Sequence, residues 1–326
     1  MTTTISRPSG VHTIPRELVH RIAIAEVFVT SIAARSEAEF VTTAQLPRSH
    51  AYFGDHTGGL EFRYDPMMVM EAARQSGMAV VHSYFGIPFD RAFLLRTFNG
   101  TASSGPVWEI EAQPAELELV TRVTRLYKTD DALTGLSVEV DVARRGVPML
   151  SVDSKFSWIE RKQWDLLRRN VRKAAGLSEE FTEALPLGTR ATPAEVGRQL
   201  ASNVVISSPR TVGDATIATL VSDTTHATMF DHPVDHVPGS LQIEACRQLG
   251  VSALNSRTGC GTAALDRVRS NFTGFLELDR PSEITATVVT VDDGHATISA
   301  TIDQFGRTAA HFELGFTLPF GARSDR

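Results

Sequence analysis

Apolar and polar residues alternate along several stretches of the chain, the period-two signature of strands with one buried face. Residues 115–123 (AELELVTRV) and 136–142 (LSVEVDV) carry it, and 147–159 (VPMLSVDSKFSWI) follows an Arg145-Gly146 turn. The style returns late in the chain: 284–291 (ITATVVTV), an Asp293-Gly294 hairpin signal, then 296–302 (ATISATI). A turn at Phe305-Gly306 leads into 310–318, where Ala310, Phe312, Leu314, Phe316 and Leu318 share a face. One strongly helical segment precedes each group. A helix followed by an antiparallel meander, twice over, predicts an α+β fold.

The two helical segments are copies of one another. Residues 68–77 read MVMEAARQSG and 241–250 read LQIEACRQLG, so Glu71, Ala72, Arg74, Gln75 and Gly77 recur as Glu244, Ala245, Arg247, Gln248 and Gly250. Upstream, HAYFGDH (50–56) recurs as HATMFDH (226–232). Two matched blocks in one order indicate a duplicated domain. The expected division is an N-terminal repeat at 1–160, a helical linker at 161–200 and a C-terminal repeat at 201–326. Arg161, Lys162, Arg168, Arg169, Arg172 and Lys173 make the linker locally basic. Such runs usually belong to a solvated helix; the alternative is a docking surface for an acidic carrier protein.

Composition narrows the classes. The chain's 326 residues suffice for two cores, and 42% hydrophobic with 21% charged residues is globular. A net charge of -6 argues against nucleic acid, whose phosphates demand a basic surface. Two cysteines, Cys246 and Cys260, are too few for a disulfide framework. The N-terminus lacks a signal-like apolar run, and no stretch approaches the ~20 apolar residues of a membrane span. The expectation is a soluble cytoplasmic protein to which a carrier brings any greasy substrate.

Helical spacing sets Glu71, Arg74 and Gln75 on one face, and Glu244, Arg247 and Gln248 likewise. The bland reading is an ion pair that orients each helix. The functional one is a cavity with a polar ligand, since charges in an apolar helix are costly to desolvate. Gly77 and Gly250 suggest close approach of a strand. Pro238-Gly239 suggests a helix entry whose N–H groups face a thioester oxyanion; the first half has Asp65-Pro66 there. His226, His232 and His236 lie near Asp231 and Asp235, but no familiar metal-ligand motif is completed. Acid–base duty or orientation of Glu244 suits these histidines better, with His232 and its counterpart His56 as catalytic candidates. No nucleophile elbow, Walker loop or dinucleotide fingerprint is present, so no cofactor is expected. Cys246 replaces Ala73 of the other repeat and reads as a buried filler.

FDHPVDHVPGSLQIEACRQLG (230–250), with AQLPRSHAYFGDH (44–56) and EAARQSG (71–77), resembles the A-factor biosynthesis hotdog family (AfsA-type proteins). The resemblance spans about Val19 to Phe320 and implies a tandem double hotdog: two repeats, each a long central helix wrapped by an antiparallel sheet, forming a pseudo-dimer. It also implies an acyltransferase condensing a β-ketoacyl carrier-protein thioester with dihydroxyacetone phosphate, on the way to γ-butyrolactone, butenolide or furan signals. More distantly, the stretch is similar to β-hydroxyacyl carrier-protein dehydratases, whose loop His and helix acid His232 and Glu244 would match only with a loop two residues shorter here. Hotdog dimers set the helix of one unit against the loop of the other, so Glu244 should face His56 and Glu71 should face His232. On this reading Glu244, or Glu71, is a general base with a pKa raised by burial. Arg247 or Arg74 grips phosphate, Gln248 and Gln75 orient the substrate carbonyl or the Arg, and Gly239 with His236 contacts the substrate. The alternatives are a hotdog dehydratase or thioesterase, or a non-catalytic acyl-binding module. Further association of copies is left open.

Overall fold

The computed structural model describes residues 12–57, 60, 62–259, 263–292 and 294–318. Its elements run β1 Val29–Ala34, β2 Glu39–Leu46, α1 Pro66–Tyr84, β3 Ala92–Ala102, β4 Ala115–Thr129, β5 Ala132–Arg144 and β6 Val147–Ile159. A connecting helix, α2 Arg161–Ala174, follows. The second set is β7 Arg210–Val212, β8 Ala215–Thr219, α3 Gly239–Thr258, β9 Ala264–Phe272, β10 Glu283–Asp292, β11 His295–Gln304 and β12 Arg307–Thr317.

The alternating stretches are all strands, and each expected turn within the described residues is a two-residue hairpin with positive φ. Arg145 and Gly146 stand at 53° and 77°, Phe305 and Gly306 at 56° and 68°, as twisted strands require. Asp293 lies outside the described residues. Strands β1, β2, β7 and β8, which precede the helices, and β3 and β9 are additional to the meanders read from alternation.

All twelve strands form one sheet in the order β1-β2-β4-β5-β6-β3-β9-β12-β11-β10-β8-β7. The seam is β3 against β9, through Gly100 opposite Val268 and Thr101 opposite Arg267. Each half wraps its own helix: α1 packs on β1 to β6, and α3 on β8 to β12. Both helices are buried nearly all round, so apolar residues occupy most of their circumference rather than one stripe. This is the tandem double hotdog. Gly77 does not serve close strand approach, because a Cβ there would meet nothing within 4 Å. Gly250 instead accommodates the Phe316 ring, 3.1 Å from where its Cβ would be.

The linker helix is not merely solvated. Trp164, Arg168 and Arg172 of α2 are buried. Arg168 donates to both carboxylate oxygens of Glu277 (2.8 and 2.7 Å) and to Asp235 (2.9 Å). Arg172 reaches Glu277 (2.7 Å) and Asp279 (2.7 Å). Two of the six basic residues that suggested a docking surface therefore hold α2 to the second repeat. Glu277, 2% exposed, is the hub. Glu277→Ala should destabilise the fold by about 3–5 kcal/mol, the cost of leaving buried cations unpaired; chemical denaturation midpoints at constant m-value measure it.

Candidate active site

Two clefts are built by one pattern used twice. A 3-10 helix, Arg16–Val19, ends on left-handed His20 and is followed by Arg21; Pro193–Val196 ends on left-handed Gly197 and is followed by Arg198. Downstream, Phe28 N donates to Gln75 Oε1 (2.8 Å) while Gln75 Nε2 donates to Glu26 O (2.7 Å). Val205 N, Gln248 and Asn203 O repeat the arrangement at 2.9 and 2.8 Å. Gln75 and Gln248 also donate to Glu71 and Glu244 (2.8 and 2.6 Å). Their amides are thus engaged with main chain and with the helix glutamates.

The Asp-His loops cross over. Asp231 accepts from Ile22 N and Ala23 N (2.6 and 3.0 Å), and Asp55 accepts from Gln199 N and Leu200 N (3.0 and 3.1 Å). Each aspartate thus ties down the chain of the opposite half.

In the first cleft Glu244 is fully buried between two guanidiniums. Arg198 donates to its Oε1 (2.6 and 3.1 Å), and Arg247 Nη2 makes a 2.5 Å ionic contact with Oε2, poorly aligned for a hydrogen bond. Arg247 Nη1 reaches both oxygens of Asp65 at 2.8 Å. Asp65 in turn caps α1, accepting from Met67 N (2.9 Å), and lies 3.3 Å from His56 Nε2. Arg198 also donates to Tyr52 O and Asp55 O (3.0 Å each). Glu244 and His56 therefore meet through the Arg247–Asp65 pair, not directly.

This overturns one expectation. Burial by itself would raise the Glu244 carboxyl, but Arg198 and Arg247 outweigh it and hold it below the usual range. Asp65 behaves alike: burial raises it, and Arg247 and His56 pull it far down. So paired, the Glu244 carboxylate stays ionised near neutrality and is a weaker base than one raised by burial would be. Both terminal nitrogens of Arg247 are engaged as well, which leaves it poorly placed to grip phosphate.

A cavity of about 150 Å³ opens beside this network. His56, Asp65, Arg198 and Arg247 form its polar wall with Arg63, while Leu60, Tyr64, Trp108, Val196, Val251 and Leu265 supply apolar surface. Glu244 is not on the wall.

The second cleft departs from the first. Glu71 pairs with Arg21 (2.7 Å) and Arg74 (2.8 Å), which against the opposing effect of burial bring its pKa down to about 2. Where Asp65 caps α1, Pro238 caps α3, so Arg74 faces no second carboxylate among the described residues. Where the first cleft has Gly197, the second has the His20 imidazole. That ring stacks on His82 (centroids 4.9 Å, Nε2–Nε2 2.8 Å) and meets Phe93 edge-on (5.1 Å). His232 is half-exposed, 3.7 Å from Asp231, and makes no described hydrogen bond or ion pair with Glu71. His236 sits between Trp164 and Phe275, with Asp235 at 2.8 Å, and so belongs to the seat of α2. Gly239 abuts Leu95 and Phe272 and is not on the cavity wall.

Arg21, Arg198 and Asp65 were not legible as site residues. A signal existed: the arginines form a repeated Val-x-Arg, at Val19-His20-Arg21 and Val196-Gly197-Arg198, 50 and 46 residues ahead of the helix glutamates.

With this geometry in view, the comparisons with known proteins are specific. A family model described as the A-factor biosynthesis hotdog domain matches residues 3–159 and 181–318. The chain belongs to that family. Among its curated relatives, "2-oxo-3-(phosphooxy)propyl 3-oxoalkanoate synthase" of Streptomyces virginiae is 34% identical over 84% of this chain and 87% of its own length. The protein of the same name from Streptomyces griseus is 29% identical over 91% of this chain and 93% of its own. Among solved structures, a putative oleoyl thioesterase from Lactobacillus plantarum superposes with a TM-score of 0.54 at 8% identity, covering 86% of this chain and 96% of that one. The dehydratase domain of a mycocerosic acid synthase-like polyketide synthase gives 0.50 at 11%, covering 90% and 96%. At such identities the likeness is one of fold. No group of metal-ligating side chains occurs among the described residues, nor any helix long and apolar enough to cross a membrane.

The buried network sets the acid response. Burial, then Arg74 and His82, lower His20 from 6.5 to about 3, so the unfolded chain takes up a proton that the folded chain refuses. Stability should therefore fall as pH drops from about 6.5, by roughly 1.4 kcal/mol per pH unit for His20. Glu71, depressed from 4.5 to about 2, contributes stability that is present above 4.5 and lost as pH falls towards 2. Thermal melts between pH 8 and 3 should show both phases, and His20→Asn should flatten the upper one.

Proposed function

We propose that the chain transfers a 3-oxoacyl group from a carrier-protein thioester to the primary hydroxyl of dihydroxyacetone phosphate. The product is a 2-oxo-3-(phosphooxy)propyl 3-oxoalkanoate ester, the compound named for its relatives, and the carrier thiol is released. Such an ester is a precursor of γ-butyrolactone-type signals. The reading is supported by one cavity that combines a histidine–carboxylate pair, guanidiniums and apolar wall.

In this scheme His56 is the general base. Asp65, kept ionised by Arg247, favours the tautomer with the proton on Nε2 and leaves Nδ1 to accept the hydroxyl proton. As the oxygen attacks the thioester carbon, negative charge builds on the carbonyl oxygen at the polar wall of the cavity. The C–S bond then breaks and the proton passes from His56 to the thiolate. The apolar surface receives the start of the acyl chain.

The test is incubation of purified protein with a 3-oxoacyl carrier-protein thioester, with and without dihydroxyacetone phosphate, read by product mass. A phosphorylated ester that forms only with both substrates supports the reading. Thiol release independent of the alcohol would indicate a thioesterase and overturn it. His56→Ala should lower kcat by roughly 10²–10⁴-fold, the range for a lost general base, and Asp65→Asn should lower it too. His232→Ala, in the second cleft, should change it less than about threefold; a loss equal to that of His56→Ala would move the chemistry across the seam.

A further inference from the structure

A phosphorylated acceptor carries a dianion, and the Glu244 network has no charge to spare for it. Arg198 and Arg247 are matched by Glu244 and Asp65, and the Arg198 Nη1 is taken by main-chain carbonyls. Arg63 differs. It stands on the wall of the same cavity, its Nη2 makes one long bond to Gly105 O (3.3 Å), and it has no ion pair among the described residues.

Its backbone is held firmly. Arg63 bridges Glu109, and the flanking Ile110 N and Tyr64 N donate to Phe62 O and Trp108 O (2.8 Å each). The position is pseudo-symmetric with His236, which bridges Glu277 in the same manner. Their surroundings diverge. Trp164 of α2 and Phe275 enclose His236, whereas Arg63 opens onto the cavity near the hydroxyl-bearing Thr57 and Ser104. Asp266, the remaining carboxylate on this wall, accepts from Thr317 Oγ1 (2.6 Å) and lies 3.5 Å from His295.

We infer that Arg63 is the phosphate-binding residue of this cavity and sets its preference for a phosphorylated alcohol. This rests on the acyl-transfer reading for the identity of the acceptor, but the anion site can be tested without turnover. A guanidinium fork suits phosphate oxygens better than an ammonium. Arg63→Gln should raise KM for dihydroxyacetone phosphate on the order of 10- to 100-fold. kcat and the KM for the thioester should stay within about twofold, and Arg63→Lys should be intermediate. Transfer to unphosphorylated dihydroxyacetone should match wild type.

Calorimetry with inorganic phosphate and glycerol 3-phosphate supplies the arm independent of activity, with thermal melts confirming that each variant folds. Binding to wild type that weakens at least tenfold in Arg63→Gln supports the inference, even if the protein were to transfer no acyl group. Equal phosphate affinity in the two proteins overturns it. So does an equal loss of activity towards the phosphorylated and unphosphorylated alcohols.

Discussion

Asp65 joins the two halves of the molecule electrostatically. One carboxylate caps the first central helix, takes both oxygens' worth of contact from Arg247 of the second, and sits against His56. Taking that charge out of water is costly, and the cost is offset only because the guanidinium and the helix N-terminus meet it with good geometry. The constraint propagates. With Arg247 fixed, Glu244 lies between two cations and remains ionised. The helix acid is thereby anchored between the two guanidiniums, while His56 stands on the cavity wall. The acid–guanidinium–amide face read from the sequence is real as a cluster, but its members satisfy one another.

Duplication supplied two such clefts, and a few substitutions made them unequal. Gly197 leaves space that the His20 ring occupies on the other side. Asp65 is matched by Pro238, which removes the carboxylate opposite Arg74. Arg63 is matched by His236, which is buried against α2. In each case the residue that lines the cavity is matched on the other side by one that does not. A single-chain pseudo-dimer permits this, because its halves mutate independently, whereas a homodimer changes both sites at once.

The continuous sheet makes the asymmetry possible without loss of fold. Pairing of β3 with β9 joins the halves through backbone hydrogen bonds that are indifferent to side-chain identity. The crossed Asp55 and Asp231 loops, by contrast, recur in both halves, and each holds main chain from across the molecule. The connecting helix adds a seat on the second half alone, through Glu277.

Local pattern determined much of this protein. Alternation marked the meander strands, turn residues marked their hairpins, and recurrence of Glu-Ala-x-Arg-Gln marked the duplication and the central helices, because these signals depend on near neighbours in the chain. The motifs also carried the resemblance to the family. What tertiary structure alone decided was which charges meet. Arg198 joins Glu244 across 46 residues and Asp65 joins Arg247 across 182, and no local pattern encodes such a pairing. The direction of the Glu244 shift follows from it, since burial pushes the pKa up and two partners pull it down. The open cavity on one side and the stacked rings on the other are likewise matters of packing, fixed by how two nearly identical halves close around their seam.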